Sequence, residues 1–153
     1  MLSPTQKVTK GDGNCFLWNL LDQMSYDQEL HNFCSTPLTI DDVDSLRAMI
    51  CSSVDRLITS EQIHWLNDPQ TGPVEHYVQK MSMPRTHCDE IFKTIVAEVL
   101  NRKLVFIPCY KEDGHGDSGE IVIIPKNPTT QPPFYFMMFP EWRFGIGHYQ
   151  SIR

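Results

Sequence analysis

Gly11-Asp12-Gly13-Asn14-Cys15-Phe16-Leu17-Trp18-Asn19-Leu20-Leu21-Asp22-Gln23-Met24 is the stretch on which the reading of this chain turns. The glycines on either side of Asp12 allow a tight turn, and Phe16, Leu17, Leu20, Leu21 and Met24 then recur at helical spacing. The pattern predicts a helix with Cys15 in its first turn or at its cap. A thiol placed there meets the positive end of the helix dipole and the N–H groups of the first turn, which favour the nucleophilic thiolate. The N–H groups of Asn14 and Cys15 are candidate oxyanion donors.

Such a nucleophile needs an imidazole within reach, and His148 has the best framing. It sits in Gly145-Ile146-Gly147-His148-Tyr149-Gln150, entering the final strand, with small residues before it that let another segment come close. Sequence separation is no objection, because catalytic pairs meet through the fold. His31, His64, His76, His87 and His115 have no comparable setting and no metal-ligand spacing, so neither a metal nor another cofactor is expected. Among the other cysteines, Cys34 and Cys109 read as core or near-core, and Cys51 lies near the apolar stripe of a long helix. Cys88 follows His87 in a loop, and consecutive residues point apart, so the two do not form a dyad.

Outward from these two ends, residues 1–10 read as a short lead-in. Thr39 is an N-cap for a long helix striped by Ile40, Val43, Leu46, Ile50, Val54, Leu57 and Ile58. Ser60-Glu61 opens a short helix to Leu66, a loop covers Asn67–Gly72, and Pro73 starts a helix through Met81. Another helix runs from about Asp89 to Leu100. Short β-branched or aromatic segments follow at Leu104–Cys109, Glu120–Ile124, Phe134–Phe139 and Gly147–Ile152, with polar loops at Lys111–Gly119 and Pro125–Pro133. The class is α+β: a helical N-terminal portion packed on a small, mostly C-terminal sheet. Residues 1–153 read as one domain.

With 13 basic and 19 acidic residues the net charge is -6, which argues against a broad nucleic-acid footprint and mildly favours a basic protein partner. No apolar run approaches membrane-spanning length, and no signal-peptide core follows Met1. Five widely spaced cysteines without a CxxC motif suit a reducing compartment, with the cytoplasm as the default.

The chain resembles the ovarian-tumour (OTU) family of cysteine proteases. The resemblance rests on Asp12-Gly13-Asn14-Cys15-Phe16 at the start and His148-Tyr149 at the last strand. It continues through Leu46-Arg47, Tyr77 to Ser82, Thr86 to Ile91 and Leu104 to Ile107, and so spans essentially the whole chain. It implies a papain-like fold of the OTU type, Cys15 as nucleophile and His148 as general base and later acid. It implies that Asp12 organises the turn and that backbone around Gly13 and Asn14 shapes the oxyanion hole. The implied reaction is hydrolysis of the isopeptide or peptide bond after the C-terminal Gly-Gly of ubiquitin or a ubiquitin-like modifier, by a monomer. Trp142, Phe144 and Ile146 either line the channel for that tail or pack in the core or at the rim, and the stretch from Asp55 to Thr71 is a candidate for binding the modifier's surface.

Two positions depart from the family pattern. Gln150 stands where Asp or Asn commonly holds the histidine ring, so Gln150, Asp12 or another group must do so. His87-Cys88 replaces a common Trp-Gly. The alternatives are a ubiquitin-binding module without turnover and a thiol redox protein. The length also suits a domain released from a longer cellular or viral polyprotein.

Overall fold

The computed structural model describes residues 6–7, 13–59, 73–108, 119–139 and 148–152. Five α-helices occur in this part, α1 (Cys15–Met24), α2 (Ile40–Ser52), α3 (Val54–Thr59), α4 (Val74–Met81) and α5 (Glu90–Leu100), with a single 3-10 turn at His31–Phe33. Five strands, β1 (Gln6–Lys7), β2 (Leu104–Pro108), β3 (Ile121–Ile123), β4 (Phe134–Phe139) and β5 (His148–Ile152), form one sheet in the order β1-β5-β4-β2-β3. β2 and β4 run parallel, with Phe106 opposite Phe136, and every other neighbouring pair is antiparallel.

The helix expected after Cys15 is α1, and it is buried nearly all round. Leu17, Leu20, Leu21 and even Asn19 have no exposed surface, which marks α1 as a central helix rather than a surface one. Its sheet face is an aromatic cluster: the Phe16 ring lies 4.9 Å from Phe136 and 6.2 Å from Phe106, and Phe106 and Phe136 are 5.0 Å apart. Stacks of this kind stabilise the core beyond the area they bury. At the far end of α1, buried Gln23 donates from Nε2 to the Tyr135 carbonyl (2.7 Å) and accepts the Tyr135 N–H at Oε1 (2.8 Å). One side chain thus satisfies both backbone groups of a β4 residue and pins α1 to the sheet.

The single long helix expected after Thr39 is two helices. The start is as read: Asp42, at the third helical position, accepts the Thr39 N–H at 2.8 Å and the Ser35 hydroxyl at 2.8 Å. The break falls at Ser53, whose hydroxyl and that of Ser52 both donate to the Met49 carbonyl, at 2.8 and 2.9 Å. Such local bonds compete with the helical ladder. The apolar stripe continues across the break, so Val54 and Leu57 are still buried.

α4 follows Pro73, and α5 is capped by Asp89, which accepts the Phe92 N–H at 2.8 Å and the Tyr77 hydroxyl at 2.7 Å. α5 ends on Asn101 in the left-handed conformation at φ 52°. Residues 6–7, expected as part of a lead-in, form β1 against Ser151 and Ile152. A two-residue strand takes its state from its partner, which is why its own pattern is silent. The short helix to Leu66, the Asn67–Gly72 loop and Cys109 lie outside the described residues.

Candidate active site

Cys15 is the first residue of α1 and Asn14 occupies its N-cap position, so the thiol sits at the positive end of the helix as expected. The Asn14 side chain does not cap the helix. Its Oδ1 accepts from Arg47 Nη2 at 2.7 Å, and both residues are buried. The Cys15 carbonyl accepts from Asn19 Nδ2 at 2.9 Å, and Cys15 itself is 1% exposed.

Arg47 reaches this turn from α2. Its guanidinium also donates to the carbonyls of Met81 (2.8 Å) and Thr86 (2.8 Å) and lies 5.9 Å from the Phe92 ring centre. One buried cation therefore ties the residue before Cys15 to the segment joining α4 and α5. The segment comes very close. A Cβ on Gly13 would fall on the Arg85 carbonyl oxygen, 2.5 Å from its carbon and 2.9 Å from His87 N. Only glycine fits, because the obstructing atoms are backbone. Arg85 presents that carbonyl from a left-handed conformation, φ 66°.

Cys88, reached by the same segment, is 1% exposed. Burial pushes its thiol up to about 12, the nearby Arg47 charge pulls it down, and the neighbouring Cys15 thiol pushes it up again. Arg47 and Cys15 thus both lie close enough to act on the Cys88 thiol. Lys93 of α5 also acts on Cys88, but Glu90 offsets its charge at 2.9 Å. Cys88 is thus a buried neighbour of the candidate nucleophile rather than an open loop thiol.

His148 opens β5 opposite Phe139, and Gln150 stands two positions on, opposite Met137. β5 packs along α1. The fold therefore brings the helix that begins with Cys15 against the strand that begins with His148, although 133 positions separate them. Asp12, Trp142, Phe144 and Ile146 lie outside the described residues. Among the described residues no group of His, Cys, Asp and Glu side chains suits a metal ion. Arg47 enters the sequence reading only as part of the Leu46-Arg47 resemblance, and its place as a cation on the stripe between Val43 and Ile50 is the signal of a larger role.

No protein-family model matches the chain, and no curated protein matches it in sequence. Solved structures do. The viral OTU domain protease from Dera Ghazi Khan virus matches with a TM-score of 0.63 at 13% identity, over 97% of this chain and 81% of that one. The OTUD1 OTU domain gives 0.63 at 14% identity, covering 97% and 84%. The Hazara virus OTU bound to ubiquitin gives 0.59 at 12% identity, covering 97% and 79%. The chain therefore has the OTU-type fold.

Proposed function

We propose that this chain is a deubiquitinase: a cysteine protease that hydrolyses the bond after the C-terminal Gly-Gly of ubiquitin or a ubiquitin-like modifier. The observation that carries this reading is the seating of Cys15 at the start of a buried helix, on a turn locked by Gly13 and Arg47, in a fold that packs this helix on the strand opened by His148. Similarity to an OTU bound to ubiquitin supports the choice of substrate.

In this mechanism His148 takes or holds the Cys15 proton, and the sulfur attacks the carbonyl carbon of the terminal glycine. Backbone N–H groups of the Gly13–Cys15 turn, organised by Asp12, stabilise the oxyanion. The tetrahedral adduct collapses as His148 gives its proton to the leaving lysine amine, leaving a thioester. Water, deprotonated by His148, then attacks the thioester and releases the free C-terminus and the Cys15 thiol. Trp142, Phe144 and Ile146 are the candidates for the channel that takes the tail, and Gln150, Asp12 or another group is the candidate for orienting the imidazole.

The test is a panel of ubiquitin, ubiquitin-like modifiers and defined ubiquitin chains, each offered to wild type, Cys15→Ala, His148→Ala and Gln150→Ala. The wild type is expected to release the modifier, and Cys15→Ala and His148→Ala to lose about 10³-fold or more. Cleavage by Cys15→Ala at the wild-type rate refutes the mechanism. Full activity of Gln150→Ala rejects Gln150 as the required orienter and leaves that role to Asp12 or another group.

A further inference from the structure

We propose that Arg47 is a positioning residue of the nucleophile turn, supplying a positive charge held next to Cys15 through Asn14. The inference deepens the protease reading and rests on it for its purpose, but its physical content concerns the Cys15 thiol alone.

Three features set Arg47 apart from an ordinary buried arginine. First, its partners are all neutral: Asn14 Oδ1, the Met81 carbonyl and the Thr86 carbonyl. Among the described residues it meets no carboxylate. The contrast with the other buried cations is direct, since Lys93 is paired with Glu90 at 2.9 Å and Arg102 with Asp27 at 2.8 Å. A buried charge is costly unless it is paired, and hydrogen bonds to neutral acceptors leave its field unneutralised. Second, the charge lies close in the chain to the candidate nucleophile, because Arg47 Nη2 holds Asn14 Oδ1 at 2.7 Å and Asn14 directly precedes Cys15. Third, the guanidinium holds geometry as well as charge. It links Asn14 to Thr86 across the same junction at which Gly13 touches Arg85 and His87. A thiolate forming at Cys15 would give this cation the anion that the described residues do not supply.

Among the described residues, the ionisable groups on the segments that meet the turn are Arg47 from α2, Arg85, His87, Cys88 and Asp89 from the segment before α5, and Lys93 from α5, while β5, which packs along α1, opens with His148. His148 is a competing source of thiolate stabilisation, so the measurement is made in the His148→Ala background. There the rate of Cys15 alkylation by iodoacetamide, read from the modified peptide by mass, is followed from pH 5 to 10. Arg47→Gln keeps donors for the carbonyls but removes the charge, and Arg47→Lys keeps the charge but loses the fork.

The expected result is an alkylation midpoint that rises by about one pH unit in Arg47→Gln, the effect of losing one nearby opposite charge. Arg47→Lys is expected to stay within roughly 0.3 unit of its parent, a small fraction of that effect. A midpoint unmoved by Arg47→Gln overturns the proposal, and so does Arg47→Lys shifting it as far as Arg47→Gln. If Arg47→Gln does not hold its fold by circular dichroism, the parent decides. A midpoint at least one unit below the ordinary thiol value of about 8.5 supports the proposal, and any higher value overturns it. Ubiquitin cleavage by the chain with His148 intact reports separately on the protease reading, so the two can fail independently.

Discussion

Replacing Gly13 by alanine tests the architecture of the nucleophile turn with one methyl group. The new Cβ would land on the Arg85 carbonyl, with its carbon at 2.5 Å and His87 N at 2.9 Å. All of these are backbone atoms, so no rotamer change relieves the overlap. Restoring ordinary contact near ~3.5 Å with the carbonyl oxygen, the nearest atom, requires the two segments to part by about 2 Å. That displacement stretches the Arg47 bridge from Asn14 Oδ1 (2.7 Å) to the Thr86 carbonyl (2.8 Å) past hydrogen-bonding range on at least one side. Forced overpacking costs about 1–3 kcal/mol. Losing one hydrogen bond to a buried charge adds about 1.5–3 kcal/mol. Part of each is recovered by relaxation, so Gly13→Ala is expected to destabilise by about 3–5 kcal/mol. At roughly 2–4 °C per kcal/mol this is a fall in Tm of about 10 °C. Urea unfolding followed by tryptophan fluorescence and circular dichroism measures it. A loss below ~1 kcal/mol, the range of unstrained surface changes, refutes the close approach and the role of Arg47 as its clasp.

Other perturbations follow from the same packing. Gln23→Leu strands the N–H and carbonyl of Tyr135, and at about 1–3 kcal/mol per buried unsatisfied group it should cost at least ~2 kcal/mol in urea unfolding. A neutral result places solvent or another donor at that edge of β4. Asp27 is held below the usual carboxylate range, first by the Arg102 hydrogen bond and against burial, with further help from the Glu29 and Leu30 N–H groups. A lowered folded value means that this stability is present above the unfolded carboxylate pKa of about 3.9 and is lost as pH falls through the folded one. Asp27→Asn should therefore be less stable than wild type at pH 7, by about 2–4 kcal/mol for a broken buried pair, and the gap should close below pH ~4. A gap that stays constant with pH contradicts the assignment. Because burial lifts the Cys88 thiol to about 12, iodoacetamide at pH 8 should modify Cys88 only after unfolding. Native modification at the rate of a free thiol would show Cys88 to be open.

Much of the fold was legible because single elements carry their own pattern. The α1 apolar run, the α5 stripe behind Asp89 and the aromatic β4 each appear close to where periodicity puts them. The break between α2 and α3 was not, since it comes from the Ser52 and Ser53 hydroxyls while the apolar stripe runs straight through. β1 was hidden because two residues hold a strand only by pairing with β5. The site divides in the same way. Gly13, Asn14 and Cys15 announce a tight turn before a helix, whereas the reason Gly13 must be glycine lies more than seventy positions away at Arg85 and His87. Arg47 could be noticed as a cation on an apolar stripe, but its bonds to Asn14 and Thr86 are tertiary facts. The His87-Cys88 departure from the family pattern acquires a physical meaning only when Cys88 is seen buried beside Cys15.

The most direct test of Cys15 as a ubiquitin-directed nucleophile is reaction with a ubiquitin carrying a C-terminal electrophile, followed by mapping of the modified residue. The expected result is a single covalent adduct at Cys15, absent in Cys15→Ala and strongly slowed in His148→Ala. Ubiquitin binding without an adduct, or an adduct on Cys34, Cys51, Cys88 or Cys109 instead, would contradict it.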